Sequence, residues 1–164
     1  MSNPEDETAR LALAIAKALA AAGPGEKAET RRMSDRGCAF FWRQVARLDI
    51  GPASEARWLL FTRLVALMTP AGRDSTIHDP GLSLGAALAE AGLSEQRFAR
   101  LLAARSHARD DALERAIRMA ARKVRGLNVI DLAWFILGAD STNRTARSYY
   151  QKLDRIKAEE PAHV

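Results

Sequence analysis

Helical periodicity covers nearly the whole chain and limits its fold more than any other feature of the sequence. Apolar residues recur at helical spacing from "TARLALAIAKALAAAG" near the start to "TARSYYQKL" near the end. No segment alternates apolar and polar residues as a half-buried strand does, and no repeat of fixed period is present. The sequence therefore predicts an all-α protein.

Breaks in the periodicity predict two small helical bundles packed against each other. The segment "PASEARWLLFTRLVALM" is apolar almost all round, which predicts the central helix of an N-terminal lobe. The next segment, "TPAGRDSTIHDPG", is rich in Pro, Gly and Asp and has no periodicity, which predicts a loop. We expect an N-terminal lobe at 1–72, a connecting loop at 73–82 and a C-terminal lobe at 83–164.

Local signals predict the helices of the C-terminal lobe. A short helix follows a cap at Ser83, and a second helix is predicted to run from a cap at Ser94 through 106. A third is expected from about 110 to 125, followed by the short apolar helix in "NVIDLAWFILG" and a long final helix in "DSTNRTARSYYQKLDRIKAEE". Residues 23–37 are expected to be a polar connection with at most a short helical turn.

Residue types that perform chemistry are few and scattered. His78, His107 and His163 are far apart in the sequence, and Cys38 is the only cysteine. Neither a metal site, a disulfide nor a nucleophile with its base is therefore expected. The acidic pair Asp110-Asp111 is interpreted as a dipole partner at a helix start rather than as a catalytic pair. We expect a binding protein without catalytic activity, cofactor or metal.

The amino terminus and the apolar runs give an expectation about location. "MSNPEDETAR" is polar and acidic, unlike a secretory signal. The apolar runs are too short or too interrupted to cross a bilayer. A cytoplasmic location without membrane contact is therefore expected.

The charge balance favours an anionic partner. The chain of 164 residues has a formal charge of +5 and a pI near 9.9, and its 25 basic residues are 20 Arg and 5 Lys. Arginine binds phosphate through a planar fork and stacks on bases. Genomic base composition is an alternative reason for the excess of Arg over Lys, because the chain is also rich in Ala. The positions of the arginines are thus more informative than their number.

Four arginines are spaced as one face of the predicted helix at 110–125. Arg115, Arg118, Arg122 and Arg125 fall within about 80° of one another on a helical wheel, opposite an apolar face. Such a ridge indicates a phosphate-binding surface. The alternative is a solvated face whose arginines pair with carboxylates of other helices.

Two further arginines lie on the apolar side of a predicted helix, near one of its ends. Arg57 shares a face with apolar residues one to three turns later, and Arg105 shares one with Phe98, Leu101 and Leu102. We interpret this side as a groove rim where an arginine contacts a phosphate or a neighbouring subunit's acid. The alternatives are a solvent-reaching head on a packed stem, or a buried pair with a carboxylate.

Several segments, in order, resemble the CasB family, the small subunit of the type I-E CRISPR surveillance complex Cascade. The central match is "LSLGAALAEAGLSEQRFARLLAARS", and the flanking matches are "AETRRMS", "FFWRQVARL", "EARWLLFTRLVALM" and "TARSYYQKL". The resemblance covers 28–153. On these motifs it extends to Arg32, Arg57, Arg97 and Arg105 as basic positions of the family.

The resemblance implies a non-catalytic, two-bundle helical protein present in two copies within the complex. The implied partners are the guide RNA, the target DNA with its displaced strand, the Cascade backbone and large subunits, and a second copy of the chain. Base pairing with the guide supplies sequence specificity in such complexes, so the protein needs only to hold backbones. The predicted nucleic-acid-binding residues are Arg31, Arg32, Arg57, Arg97, Arg100, Arg105, Arg115, Arg118, Arg122 and Arg125.

Two other classes of function stay open from the sequence. "SLGAALAEAGLSEQRFARLL" has the helix–turn–helix outline of a small DNA-binding transcription regulator, although its second helix offers few base-reading side chains beyond Gln96 and Arg97. A helical adaptor that binds only protein is the third class. Steep salt dependence without sequence preference would favour the Cascade subunit.

Overall fold

The computed structural model describes residues 3–138 and 141–160, and within them the chain is all-helical. The only β-type pairing in these ranges is an isolated parallel bridge between His78 and Leu127. A short 3₁₀ turn, Pro52–Ser54, precedes the fourth helix. The α-helices are α1 (Pro4–Ala21), α2 (Pro24–Arg32), α3 (Ala39–Leu48), α4 (Glu55–Leu67), α5 (Leu84–Glu90), α6 (Glu95–Ala103), α7 (Ser106–Ala121), α8 (Val129–Leu137) and α9 (Ser141–Glu159).

Side-chain caps explain where several helices begin. Ser83 accepts a hydrogen bond from the backbone N–H of Ala86, and Ser94 accepts one from that of Arg97. Asn128 caps α8 by accepting from two backbone N–H groups. Each cap satisfies donors that a helix start leaves without a partner. The two serine caps confirm the starts predicted for α5 and α6.

Helix α4 lies at the centre of the packing. It contacts α1, α2, α7 and α8, and Phe61 and Leu64 on it are fully buried. Helices α5 and α9 pack closely, because Gly85 lets α5 approach the α9 backbone beside Thr145 and Tyr149. The buried apolar side chains form one cluster that includes residues from both predicted lobes. The division into lobes at 73–82 stays a prediction.

The boundary between α6 and α7 differs from the prediction. Helix α6 ends at Ala103 rather than continuing through 106, and α7 begins at Ser106 rather than near 110. Arg105 is extended at this corner, and Ser106 takes a left-handed φ of 50°. No Gly or Pro marks the turn, so the sequence gives no stop signal. The corner lets α7 turn back and pack on α4 and α5.

Residues 24–32 form a helix where a polar connection was expected. Lys27 of α2 is buried, and its ammonium donates to the backbone carbonyls of Ala71 and Arg73. Arg31 donates to the carbonyl of Thr69 at 2.8 Å. Contacts with a segment some 40 residues away, which no local pattern reveals, thus hold this helix.

The connection between α4 and α5 has no helix, as its composition predicts, and hydrogen bonds hold it on both sides. Arg73 donates to the carbonyls of Ser75, Thr76 and Arg125. His78 accepts a hydrogen bond at Nδ1 from the backbone N–H of Val129 at 3.1 Å. The connection therefore joins α2 on one side to the start of α8 on the other.

Aromatic side chains of the apolar helices are buried at Phe41, Phe61 and Phe135, whereas Trp42 is 43% exposed. His163, and Asp140 at the predicted start of the last helix, lie outside the described residues. Among the residues that the structure does describe, no helix combines the length and apolar composition needed to span a bilayer.

Candidate nucleic-acid interface

A groove between α6 and α7 brings together five of the predicted arginines. Its volume is about 520 Å³. Buried and half-buried apolar side chains form the floor, and no carboxylate of the described residues lines the groove. The arginines that line it are Arg97, Arg100, Arg115, Arg118 and Arg122.

Two neighbouring clefts extend this basic surface, because each shares an arginine with the groove. Arg118 also lines a cleft beside α2, and Arg122 also lines a cleft beside the connection between α4 and α5. We call the whole surface the arginine track. Its arginines are Arg31, Arg32, Arg63, Arg73, Arg97, Arg100, Arg115, Arg118, Arg122 and Arg125.

Carboxylates neutralise little of the arginine track. Glu114 is the main one: its carboxylate lies 3.1 Å from Arg63 and 3.8 Å from Arg118. Asp35 lies 3.9 Å from Arg63, but its side chain is 99% exposed. Within the described ranges, no other arginine of the track has a carboxylate oxygen within 4.0 Å. Seven of the ten arginines of the track are exposed, and the surface has few counter-charges among the described residues.

Only part of the predicted arginine ridge lies on helix α7. Arg115 and Arg118 lie on the helix, but α7 ends at Ala121, so Arg122 is its C-cap and Arg125 lies beyond the turn. A helical wheel therefore does not describe Arg125. The turn nevertheless brings Arg122 and Arg125 to the same cleft, so the ridge continues as a loop rather than as a helix face.

Arg57 forms hydrogen bonds with other residues of the chain. Its guanidinium donates to both carboxylate oxygens of Asp110, at 2.9 and 3.1 Å, and also to the backbone carbonyl of Ile136. Of the alternatives raised for this arginine, the structure therefore shows the pair with a carboxylate. Asp110 lies in the second turn of α7 and not at its start, which corrects its interpretation as a dipole partner.

Arg105 lies apart from the arginine track as well. It precedes the first turn of α7, is exposed, and does not share the apolar face of α6, which corrects the helical placement. Arg109 packs over the Phe135 ring at 4.1 Å. Burial lowers the pKa of Arg109, and the charges of Arg57 and Arg105 lower it further. These three arginines form a second basic cluster at the other end of α7.

Two members of the arginine track, Arg63 and Arg73, were missed from the sequence. Arg63 lies within the apolar helix α4, where it resembles an isolated charge, and Arg73 lies in the irregular connection. Their positions depend on how α4 and the connection pack beside α7, which is tertiary information. The only local signal is that both are arginines in a chain rich in them.

Two residue types that were considered for catalysis, His and Cys, make contacts that stabilise the fold. His78 holds the start of α8, and Cys38 is buried with its sulfur 3.6 Å from that of Met33. Across 3–138 and 141–160, no group of three or more His, Cys, Asp or Glu side chains could hold a metal ion.

The helix–turn–helix outline exists as α5 and α6, joined through Gly92 at φ 89°. The outward arginines of its second helix line the groove against α7.

Most of the chain matches a known protein family. Residues 26–151 match the family model described as CRISPR-associated protein Cse2. This match covers more than half of the sequence. No curated protein matches the chain.

Proposed function

The chain belongs to the CRISPR-associated protein Cse2 family, the small-subunit family of the type I-E Cascade complex, and from this premise we propose that it is a non-catalytic, nucleic-acid-binding subunit. It stabilises the guide RNA–target DNA hybrid and the displaced DNA strand through their sugar–phosphate backbones. Its partners within the complex are the backbone and large subunits and a second copy of itself.

The observation that supports this proposal is the arginine track. Eight of the ten arginines predicted from the sequence lie along it, and nearly all of them lack a carboxylate partner among the described residues. Neighbouring guanidinium groups repel one another, so a polyanion laid across them removes an unfavourable interaction. It also releases counterions, which is the main source of backbone affinity. Arg57 and Arg105 are not part of this surface.

The arrangement suits a protein that holds strands without reading their sequence. Guide–target pairing supplies the sequence specificity of such complexes, and the protein contributes charge at the right spacing. Basic surfaces of this kind bind by backbone contact, with affinity that depends steeply on salt. The helix–turn–helix alternative would instead require α6 to enter a major groove, whereas its outward arginines face α7 across the groove.

The salt dependence of binding tests the proposal. The full chain is titrated against a labelled single-stranded oligonucleotide over a series of salt concentrations. Replacing Arg115 and Arg122 by Gln should weaken binding and reduce the slope of log K against log salt by about 1.4, since each phosphate that is no longer neutralised lowers it by about 0.7. Both residues are exposed and unpaired with any described carboxylate, so native helical circular dichroism is expected.

A matched control removes the same charge elsewhere. Arg147 and Arg155 are exposed on α9 and line none of the three clefts of the track. Replacing both by Gln should change the slope much less than the track variant does. Equal effects of the two variants would mean that net charge alone, and not the track, determines binding.

A further inference from the structure

We propose that the groove between α6 and α7 holds unpaired nucleotides of a single strand, with base faces on its apolar floor and phosphates on its arginine rims. This inference rests on the proposed function and makes it more specific. In this groove, the chain contacts the bases of the strand in addition to its sugar–phosphate backbone.

The floor of the groove is the observation that points to contact beyond the phosphates. Leu93, Leu101 and Ala116 are buried there, and Ala112 and Met119 are half-buried. A duplex or hybrid presents sugars and phosphates outward and keeps its base faces stacked inside, so it cannot cover an apolar floor. An unpaired base has an exposed apolar face, and burying that face against the floor is favourable.

The rims of the groove supply partners for both parts of a nucleotide. Arg97 and Arg100 come from α6, and Arg115, Arg118 and Arg122 come from the C-terminal half of α7 and its cap. A guanidinium forks onto phosphate and also stacks on a base. The Met119 thioether is polarizable and suits contact with an aromatic ring. A volume of about 520 Å³ lies within the range of pockets that enclose small molecules.

The chemistry of the lining also indicates tolerance of base identity. Among the described residues, every polar side chain that lines the groove is an arginine, so these side chains offer donors and no strong acceptor. Stacking is available to any base because every base has a π-face. The groove should therefore hold a strand whose sequence changes from one target to the next.

The test compares an ordinary strand with one that lacks bases. The full chain is titrated at low salt with a single-stranded oligodeoxynucleotide of about 12 nucleotides and with an abasic oligomer of the same number of phosphates. We expect the ordinary strand to bind at least about fivefold more tightly than the abasic one. A matching oligoribonucleotide is included, because guide RNA and displaced DNA present the same chemistry.

Two substitutions change the floor without changing the charge. Ala112→Leu fills the groove, and Met119→Ala removes part of its floor. Both should reduce the preference for the ordinary strand towards onefold. Ala108→Leu, at an exposed position of α7 outside the groove, is the matched control and should keep the preference. Helical circular dichroism shows whether each variant is folded, and one folded floor variant is sufficient.

The outcomes separate the two proposals. Equal binding of ordinary and abasic strands by the parent chain would overturn the base contact and leave the backbone-binding function standing. The base contact would also be overturned if a folded floor variant kept the parent's preference for ordinary over abasic strands, with both DNA and RNA. A loss of preference for either strand type supports the inference and identifies that strand as the occupant. If the parent bound neither strand nor abasic oligomer, both proposals would fall.

Discussion

At the scale of single residues, the arginines divide by what their guanidinium groups contact. Arg57 forms a two-pronged pair with Asp110 and also donates to the carbonyl of Ile136, so it joins α4, α7 and the end of α8. The arginines of the track mostly face solvent without a carboxylate. From the sequence, both groups have the same residue type at helical spacing. The partner of Arg57 lies 53 residues away, which is why spacing could not separate them.

Replacing Arg57 should lower stability. Arg57→Met leaves the Asp110 carboxylate and a backbone carbonyl without their donor, so we expect the free energy of unfolding to fall by about 1–3 kcal/mol. Urea denaturation measures the change, and a double-mutant cycle with Asp110→Asn gives the coupling between the two side chains. Arg10→Met, which breaks the exposed pair with Glu7 on α1, is the control and should lower the free energy of unfolding much less than Arg57→Met does. A cycle without coupling would contradict the structural role.

Glu114 is a single acidic residue whose removal should strengthen binding. Its carboxylate pairs with Arg63 and Arg118, so Glu114→Gln releases both guanidinium groups and removes one negative charge from the arginine track. We expect tighter binding to a single-stranded oligonucleotide and a salt slope steeper by up to about 0.7. Stability should fall by no more than about 1 kcal/mol. Glu90→Gln, which breaks a pair with Lys152 away from the track, should leave binding nearly unchanged; weaker binding of Glu114→Gln would refute the prediction.

At the scale of helices, local chemistry predicts a start where a side chain caps the helix. The caps at Ser83 and Ser94 could be predicted, because a serine oxygen before a helical pattern satisfies backbone donors wherever the helix packs. The corner at Ser106 could not, because its left-handed backbone carries no glycine. Packing of α7 on α4 stabilises it instead. The same reason explains α2, whose buried Lys27 finds its carbonyl partners only after folding.

The contact between α5 and α9 gives a prediction at this scale. A methyl group at Gly85 would overlap the carbonyl oxygen of Thr145, the hydroxyl of Ser148 and the backbone nitrogen of Tyr149. Gly85→Ala should therefore push the helices apart and lower the free energy of unfolding by about 1–3 kcal/mol, measured by urea denaturation. Gly25→Ala, in α2 with nothing within 4 Å of the added carbon, should be neutral or slightly stabilising. Equal effects at the two sites would contradict the close approach of α5 and α9.

At the scale of the whole molecule, the all-α class and the non-helical connection between α4 and α5 were predictable from the sequence. The hydrogen bonds that attach this connection to neighbouring helices were not. Helical periodicity is a property of each segment taken alone, so the all-α class follows from the sequence. The connection between α4 and α5 reads as a simple linker because it lacks periodicity. In the structure it is fixed by Lys27, Arg73 and His78 to elements on both sides. The arginine track depends on that fixation, because Arg73 and Arg125 line the same cleft.

The link through His78 should make global stability depend on pH. Burial lowers the pKa of His78, against the opposing charges of Asp79 and Asp131, and the bond from Val129 needs an unprotonated Nδ1. The unfolded imidazole takes up a proton near pH 6.5 while the folded one resists it, so the unfolded state binds more protons. The free energy of unfolding should therefore fall as the pH drops from about 7.5 to about 5.5, by at most about 1.4 kcal/mol per pH unit from this group.

Urea denaturation at several pH values measures that slope. His78→Asn keeps an acceptor for the Val129 N–H and does not titrate, so its slope in this interval should be smaller than that of the parent. His107→Asn, at an exposed position in the first turn of α7, is the control and should retain the parent's slope. An unchanged slope in His78→Asn would show that another group causes the dependence.

The exposed guanidinium groups without carboxylate partners have a practical consequence for engineering. Because Arg97, Arg115 and Arg122 lie outside the common core, they can be exchanged one at a time without repacking it. Under the proposed function, affinity for a strand could then be lowered in steps without a change in folding. A series of variants with stepwise fewer cations should release a bound oligonucleotide at progressively lower ionic strength.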